Sequence, residues 1–353
     1  MTETLRLVVD AATKAFADTF GPERLREAAH GAWLEEGWAV LEELGLPLAL
    51  APESAGGFGL DVEEALRLVG IAASHAVPLP LAETMFANHL LARAGLAIGA
   101  GPAAVVEGAA ESGLLLSRVG DGWRLTGVSS PAPWPSSLSA IAVVVKDGAT
   151  ARLARLAPDH VTVGEIAATL TGHPCGRLHV DATLSTDDVA SLPTDLPPDV
   201  AQRGGAALRA IGLAGAIQRV VELTTGFVSE RVQFGRTLSK FQVVQHDIAR
   251  MAGQAAAARA AADLAVEGFA DFDVVRIAAA KARTGEAAGI VAAIAHQLHG
   301  AIGVTEEYTL HHLTRQLWQW RDEFGCEAEW NEKLGRLAMS GGGAGLWAWL
   351  TAV

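Results

Sequence analysis

Cysteine is scarce in this chain: Cys175 and Cys326 are the only two, far apart and outside any metal-ligand spacing. That excludes a disulfide framework and leads us to expect a pair of reduced thiols in a cytoplasmic protein. Positive charge is also in short supply, with 27 Lys and Arg against 40 Asp and Glu and a net charge of −13. With no basic run to offset it, this balance argues against a nucleic-acid or anionic-membrane surface, and any anionic ligand would need a local basic patch. The opening Met-Thr-Glu-Thr lacks the basic stretch and apolar core of a signal peptide. Apolar runs are broken by charge well short of a bilayer's thickness, so no membrane span is expected. The apolar tail Gly341 to Leu350 is too short to cross and is expected to dock on a neighbouring helix or subunit.

Apolar side chains, by contrast, are plentiful. They make up 50% of the 353 residues against 19% charged, enough for two or three cores and too many for a disordered chain. To about residue 110, apolar residues recur at three- and four-residue spacing, as in Leu25, Ala28 and Ala32 or Val62, Ala65, Leu66 and Val69. This is a helical pattern. The period then shortens. Gly113 to Val119, Trp123 to Val128, Ala140 to Lys146 and Arg177 to Asp181 are short Val-, Leu- and Ile-rich runs bounded by Gly, Pro and Asp, which read as strands. Pro131, Pro133 and Pro135 mark a loop between them. After the linker Leu192 to Pro198, long amphipathic helices return, broken near Phe234, Phe269 and Gly303. The expected fold is α+β and mostly helical: an N-terminal helical domain (1–110), a middle β domain of barrel or sandwich type (111–192) and a C-terminal four-helix bundle (199–353).

The most informative stretch is Arg231-Val232-Gln233-Phe234-Gly235-Arg236, followed by Phe241-Gln242 and Gln245. It sets a planar cation, two amides and an aromatic ring around a glycine turn that leads into a long helix, a cradle suited to a pyrophosphate-linked cofactor. The bland alternative is a turn with a solvated arginine. R-x-Q-F-G followed by F-Q-x-x-Q resembles the flavin-contacting turn of the acyl-CoA dehydrogenases. Two further segments resemble the same family in the same order: Leu44-Gly45-Leu46-Pro47 with Ala51-Pro52-Glu53 and Gly56-Gly57-Phe58-Gly59, and Gln297-Leu298-His299-Gly300-Ala301-Ile302-Gly303 with Glu307-Tyr308.

The resemblance implies an FAD enzyme that removes hydrogen from the α and β carbons of an acyl-CoA thioester and passes electrons from the reduced flavin to an external acceptor. It also implies a flavin at a subunit interface, with its ring held by one subunit and its ADP half reached by the other. The ADP-contacting set is present, with Arg231, Gln233, Phe234, Leu238 and Gln242 in the turn and Gln297, Gly300 and Ala301 in the second segment; Ala301 stands where the family has glycine. The ring-contacting set is eroded. Val106 to Gly113 stands shortened where the family has an acidic E-P-x-x-G-S-D loop, and Ser130-Pro131-Ala132-Pro133-Trp134-Pro135 replaces W-I-T-N, with prolines that supply no backbone donor.

The catalytic base, a carboxylate in this family, is the other departure. Counted without gaps from Tyr308, its position falls on Phe324, followed by Gly325-Cys326 in place of Gly-Thr. Glu323, one residue earlier and about 100° away if helical, is the candidate base, with Glu323, Glu327 and Glu329 as plain surface charges the alternative. The other position that carries a base in some members reads Gly204-Gly205-Ala206. Loss confined to one half of the site resembles the degenerate subunit of a heteromeric bacterial acyl-CoA dehydrogenase, paired with a second, catalytic subunit. A self-sufficient homo-oligomer using Glu323 and a structural subunit without flavin are the other two readings.

No metal is expected, since His296 and His299 lack an accompanying H-E-x-x-H pattern. Gly56-Gly57-Phe58-Gly59 does not lie between a strand and a helix, which disfavours nicotinamide. Trp318, Trp320, Trp330, Trp347 and Trp349 are expected to pack in the core or at an interface.

Overall fold

Helical spacing of apolar residues gives the first elements. A computed structural model describes residues 3–108, 113–147, 150–340, 345–347 and 351. It begins with α1 (Glu3–Thr19), α2 (Pro22–Ala29), α3 (Glu35–Glu43), α4 (Val62–Ser74) and α5 (Leu81–Arg93). Pro22 opens α2, where its missing N–H would have had no helical partner. Most of α5 is buried, so its buried polar side chains are tied down. Asn88, for example, donates to the carbonyls of Pro47 and Gly99.

The strands are β1 (Ala103–Glu107), β2 (Leu114–Val119), β3 (Gly122–Val128), β4 (Ala132–Pro133), β5 (Ala140–Asp147), β6 (Thr150–Leu156), β7 (Val161–Ala168), β8 (Pro174–Leu184) and β9 (Val189–Ser191). One sheet runs β1-β5-β6-β9, with β1 parallel to β5; the other runs β2-β3-β8-β4, with β7 also paired to β8. Along β8 every second residue from Gly176 to Leu184 is buried, the alternation expected of a strand with one face on a core. Leu125, Ile141, Val143, Leu178 and Val180 meet in that core. β1 lies in the stretch that periodicity assigned to helix. Its run Ala-Ala-Val-Val is too short to separate the two periods, and pairing with β5 decides it.

The chain divides into two compact units, Met1–Ala65 with Pro78–Ala201 and Leu66–Val77 with Gln202–Val353. The second holds α6 (Val200–Glu230) from Gln202 onward, the short strands β10 (Val232–Gln233) and β11 (Arg236–Thr237), then α7 (Gln242–Phe269), α8 (Val274–His299), α9 (Leu310–Asp322) and α10 (Glu327–Ser340). α8 packs against α7, α9 and α10, and its many alanines let those helices approach closely. The stretch Val274–Val304 is apolar and long enough to cross a bilayer, but 44% of its most apolar window is buried within the protein, as befits a central bundle helix. Most of the apolar tail expected to dock on a neighbour, Gly341 to Ala344 and Ala348 to Leu350, lies outside the described residues.

Candidate functional site

α6 ends at Glu230, but its last turn carries on into Arg231, whose N–H donates to the Phe227 carbonyl at 2.9 Å. The chain then folds back on itself. Val232 pairs with Thr237 and Gln233 with Arg236, leaving Phe234 and Gly235 at the tip with φ of 52° and 80°. Two left-handed residues in a row are what a two-residue hairpin needs, and glycine fits the second without strain while phenylalanine at the first does not. The Phe234 ring, 90% exposed, stands edge-on to Phe241 at 6.3 Å, and the Arg236 guanidinium lies 4.1 Å over the Phe241 ring.

The second segment closes α8. His299 is its last residue, and Gly300 turns the chain with φ 64° and ψ −144°, a region open to glycine alone. Between the two segments lies a cavity of about 370 Å³ lined by Phe227, Arg231, Gln233, Leu238, Gln297, Leu298, His299, Gly300, Ala301 and Ile302. Six of the sequence-predicted residues thus come together: Arg231, Gln233, Leu238, Gln297, Gly300 and Ala301. Phe234 and Gln242 do not line the cavity; one stands at the hairpin tip and the other is the exposed first residue of α7. Phe227 and His299 were missed as lining residues, although Phe227 lies one helical turn before Arg231 and His299 lies inside the quoted motif.

The lining has one fixed cation, Arg231, and no carboxylate. In a chain of net charge −13 this is the local basic spot that an anionic group requires. His299 adds little charge, since burial pushes its pKa down, with His296 pushing the same way and the hydrogen bond to the Ala295 carbonyl opposing both. The donors fit the ADP half of a dinucleotide: a planar guanidinium for phosphate, two carboxamides for polar edges and an aromatic ring for a base. A larger groove of about 580 Å³ in the first unit, beside Trp33, Trp134 and Ile166, holds none of the ADP-contacting residues and no Asp, Glu, Lys or Arg, although Trp134 and Pro135 belong to the eroded segment.

The backbone of the eroded segment is occupied elsewhere. Ala132 and Pro133 pair with Gly176 and Cys175, the Ser130 N–H donates to the Glu107 carbonyl, and the Trp134 N–H donates to the Pro174 carbonyl at 2.8 Å. Of the shortened acidic loop, Ala109 to Ser112 lie outside the described residues.

Glu323 is held by two partners. Arg209 Nε donates to its Oε2 and Gln319 Nε2 to its Oε1, each at 2.6 Å. Residues 323–325 form a turn rather than a helix, with Glu323 extended and Phe324 at φ 56°, so the 100° offset expected of a helix does not apply. The Phe324 ring lies on Gly205, whose missing Cβ would sit 2.3 Å from ring carbons. The two segments where the resemblance would set a base, the 323–325 turn and 204–206 on α6, thus meet in space through Phe324 and Gly205, neither of which is a carboxylate. Glu327 is bonded to Arg321 Nε at 2.6 Å and is no free surface charge.

Lys281, 1% exposed, stabilises this turn by donating to the carbonyls of Arg321 at 2.6 Å and Gly325 at 2.8 Å. Burial pushes its pKa from 10.5 down to about 8, against the pull of Glu327 and Glu323. Above about pH 8 the folded chain therefore binds fewer protons here than the unfolded chain. Stability from this group accordingly rises with pH up to about 10, by no more than about 3 kcal/mol. In urea melts across that window, Lys281→Met is expected to flatten the rise.

His296 stacks on Trp318 at 5.4 Å and its Nε2 lies 2.8 Å from Thr314 Oγ1. Among the described residues no three His, Cys, Asp or Glu side chains are grouped to hold a metal. Trp330 is buried and donates to the Phe324 carbonyl, while Trp347 is exposed and Trp349 lies outside the described residues.

Comparison with known proteins agrees with this architecture. Residues 203–318 match the family model for the acyl-CoA dehydrogenase C-terminal domain. Acyl-CoA dehydrogenase IpdE2 of Mycobacterium tuberculosis is 28% identical over 326 residues, covering 88% of this chain and 89% of its own. Among solved structures, a variant of the Tcur3481-Tcur3483 steroid ACAD superposes with a TM-score of 0.85 at 26% identity, covering 96% of this chain and 98% of its own. The ChsE4-ChsE5 complex of Mycobacterium tuberculosis gives 0.84 at 22% identity, with the same coverage, and shares the fold. Over 96% of its length the chain has the acyl-CoA dehydrogenase fold, and its residues 203–318 are an acyl-CoA dehydrogenase C-terminal domain.

Proposed function

We propose that this chain is the non-catalytic subunit of an FAD-dependent acyl-CoA dehydrogenase and lends ADP contacts to a flavin whose ring and catalytic base belong to a second, catalytic subunit. The observation that carries this reading is the packing of Phe324 on Gly205 in place of a base, set beside a lined cavity with a single arginine on the ADP side. The flavin, when bound, accepts the hydride from the β carbon of the thioester. The residues of this chain would hold its diphosphate through Arg231 and its polar edges through Gln233 and Gln297. Similarity to structures of named pairs supports a second subunit, and the steroid designation of one of them makes polycyclic acyl-CoA thioesters the first substrates to assay.

Purified alone, the chain is expected to be colourless. Co-expressed with a catalytic acyl-CoA dehydrogenase subunit, it is expected to yield a yellow complex with a single flavin per pair of chains. A stoichiometric flavin spectrum from the lone chain, lost activity in Glu323→Gln and retained flavin would together favour the self-sufficient enzyme. A colourless complex with every partner tried would leave the structural-subunit reading.

A further inference from the structure

Tyr308 is the only tyrosine in the sequence, and it reaches a buried histidine in the cavity wall. Its hydroxyl lies 3.3 Å from His299 Nε2, while His299 Nδ1 lies 2.8 Å from the Ala295 carbonyl oxygen. The second contact decides the tautomer. A carbonyl can only accept, so Nδ1 carries the proton, and in the neutral ring Nε2 keeps a lone pair that accepts from the Tyr308 hydroxyl. The His299 ring, 5% exposed, stacks on Phe227 at 4.3 Å and 23°. Phe227 lines the cavity, and Tyr308, which does not, faces the same Phe227 ring edge-on at 6.1 Å.

We propose that Tyr308 and His299 act as a positioning pair that fixes a neutral imidazole against Phe227 and so shapes the cavity for an adenosine diphosphate group. This rests on the reading of the cavity as the ADP half-site. Neither residue is catalytic: Tyr308 acts through His299, and His299 through Phe227 and the turn at Gly300. The surroundings keep the ring neutral. Burial pushes His299 down, and His296 on its own helix pushes it further. His311, on α9, pushes His296 down in turn. Arg231, at the end of α6, lines the same cavity as His299. Tyr308 is kept protonated by its own burial and by Glu230, with Arg219 on the same helix opposing. Protonation of Nε2 would force the Tyr308 hydroxyl to turn round and accept, which undoes the arrangement.

The test is ADP binding by the purified full chain, measured by calorimetry for wild type and Tyr308→Phe, with His299 followed by imidazole NMR and folding checked by circular dichroism. Tyr308→Phe is expected to bind ADP about ten-fold more weakly, the equivalent of one modest hydrogen bond. The His299 resonance is expected to titrate at higher pH, because Nε2 loses the donor that favoured its neutral form. The proposal requires both changes, and either one without the other overturns it. Wild-type protein that binds no ADP would bring down the half-site reading and this inference together. Wild-type binding that Tyr308→Phe leaves unaltered would bring down this inference alone.

Discussion

Arg231→Ala is expected to strip most of the flavin from the assembled complex while leaving the chain folded. The side chain lies at the end of α6, and only the backbone of Arg231 takes part in the turn, through its bonds to Phe227 and Leu238. Removing the guanidinium therefore costs the fold little but leaves the cavity without its fixed cation. Hydrogen bonds to charged groups contribute about 1.5–3 kcal/mol, so retention should fall roughly ten- to hundred-fold. The measurement is flavin absorbance of the complex after gel filtration, with Glu323→Gln as the contrast. That substitution is expected to leave both flavin content and turnover close to wild type.

Arg209→Ala is expected to give the largest loss of stability. The Arg209 side chain is 8% exposed and that of Glu323 29%, so the pair is largely sheltered from water. The guanidinium also lies 4.9 Å over the Trp320 ring and 5.6 Å over Phe324. Truncation leaves Glu323 with Gln319 alone and opens a space beside two aromatic rings. Breaking a buried pair from one side costs about 3–5 kcal/mol; partial exposure of Glu323 argues for the lower end, near about 3 kcal/mol. Arg209→Met, which restores the packing without the charge, should recover part of it. Equal urea midpoints for wild type and Arg209→Ala would mean that the pair does nothing for the fold.

Local chemistry made much of this legible in the sequence. The glycine in R-x-Q-F-G and the Q-L-H-G segment each demand a particular backbone turn, and the structure has both turns with six of the eight predicted residues around one cavity. Three of the four expected strands lie within β3, β5 and β8, and the fourth, Gly113 to Val119, matches β2 but for its first residue. Not expected from the sequence were β1, β6, β7 and β9, and β4, which lies in the stretch read as a proline loop. Phe234, expected as an ADP contact, stands exposed at the hairpin tip and does not line the cavity within this chain. Glu323 could not be judged at all. Its partner Arg209 and the contact between Phe324 and Gly205 join residues far apart in sequence, and no periodicity encodes them.

On the proposed reading, the packing of Phe324 on Gly205 also makes the loss of a base hard to reverse. Restoring a carboxylate at 324 would set an acid over a glycine in a space shaped for an aromatic ring, whereas restoring a side chain at 205 would collide with that ring. Each single step back toward catalysis thus passes through a less stable protein, and only a paired change avoids it. If the proposed role holds, a lineage that has accepted this contact is held to its partner by the same packing that removed the base.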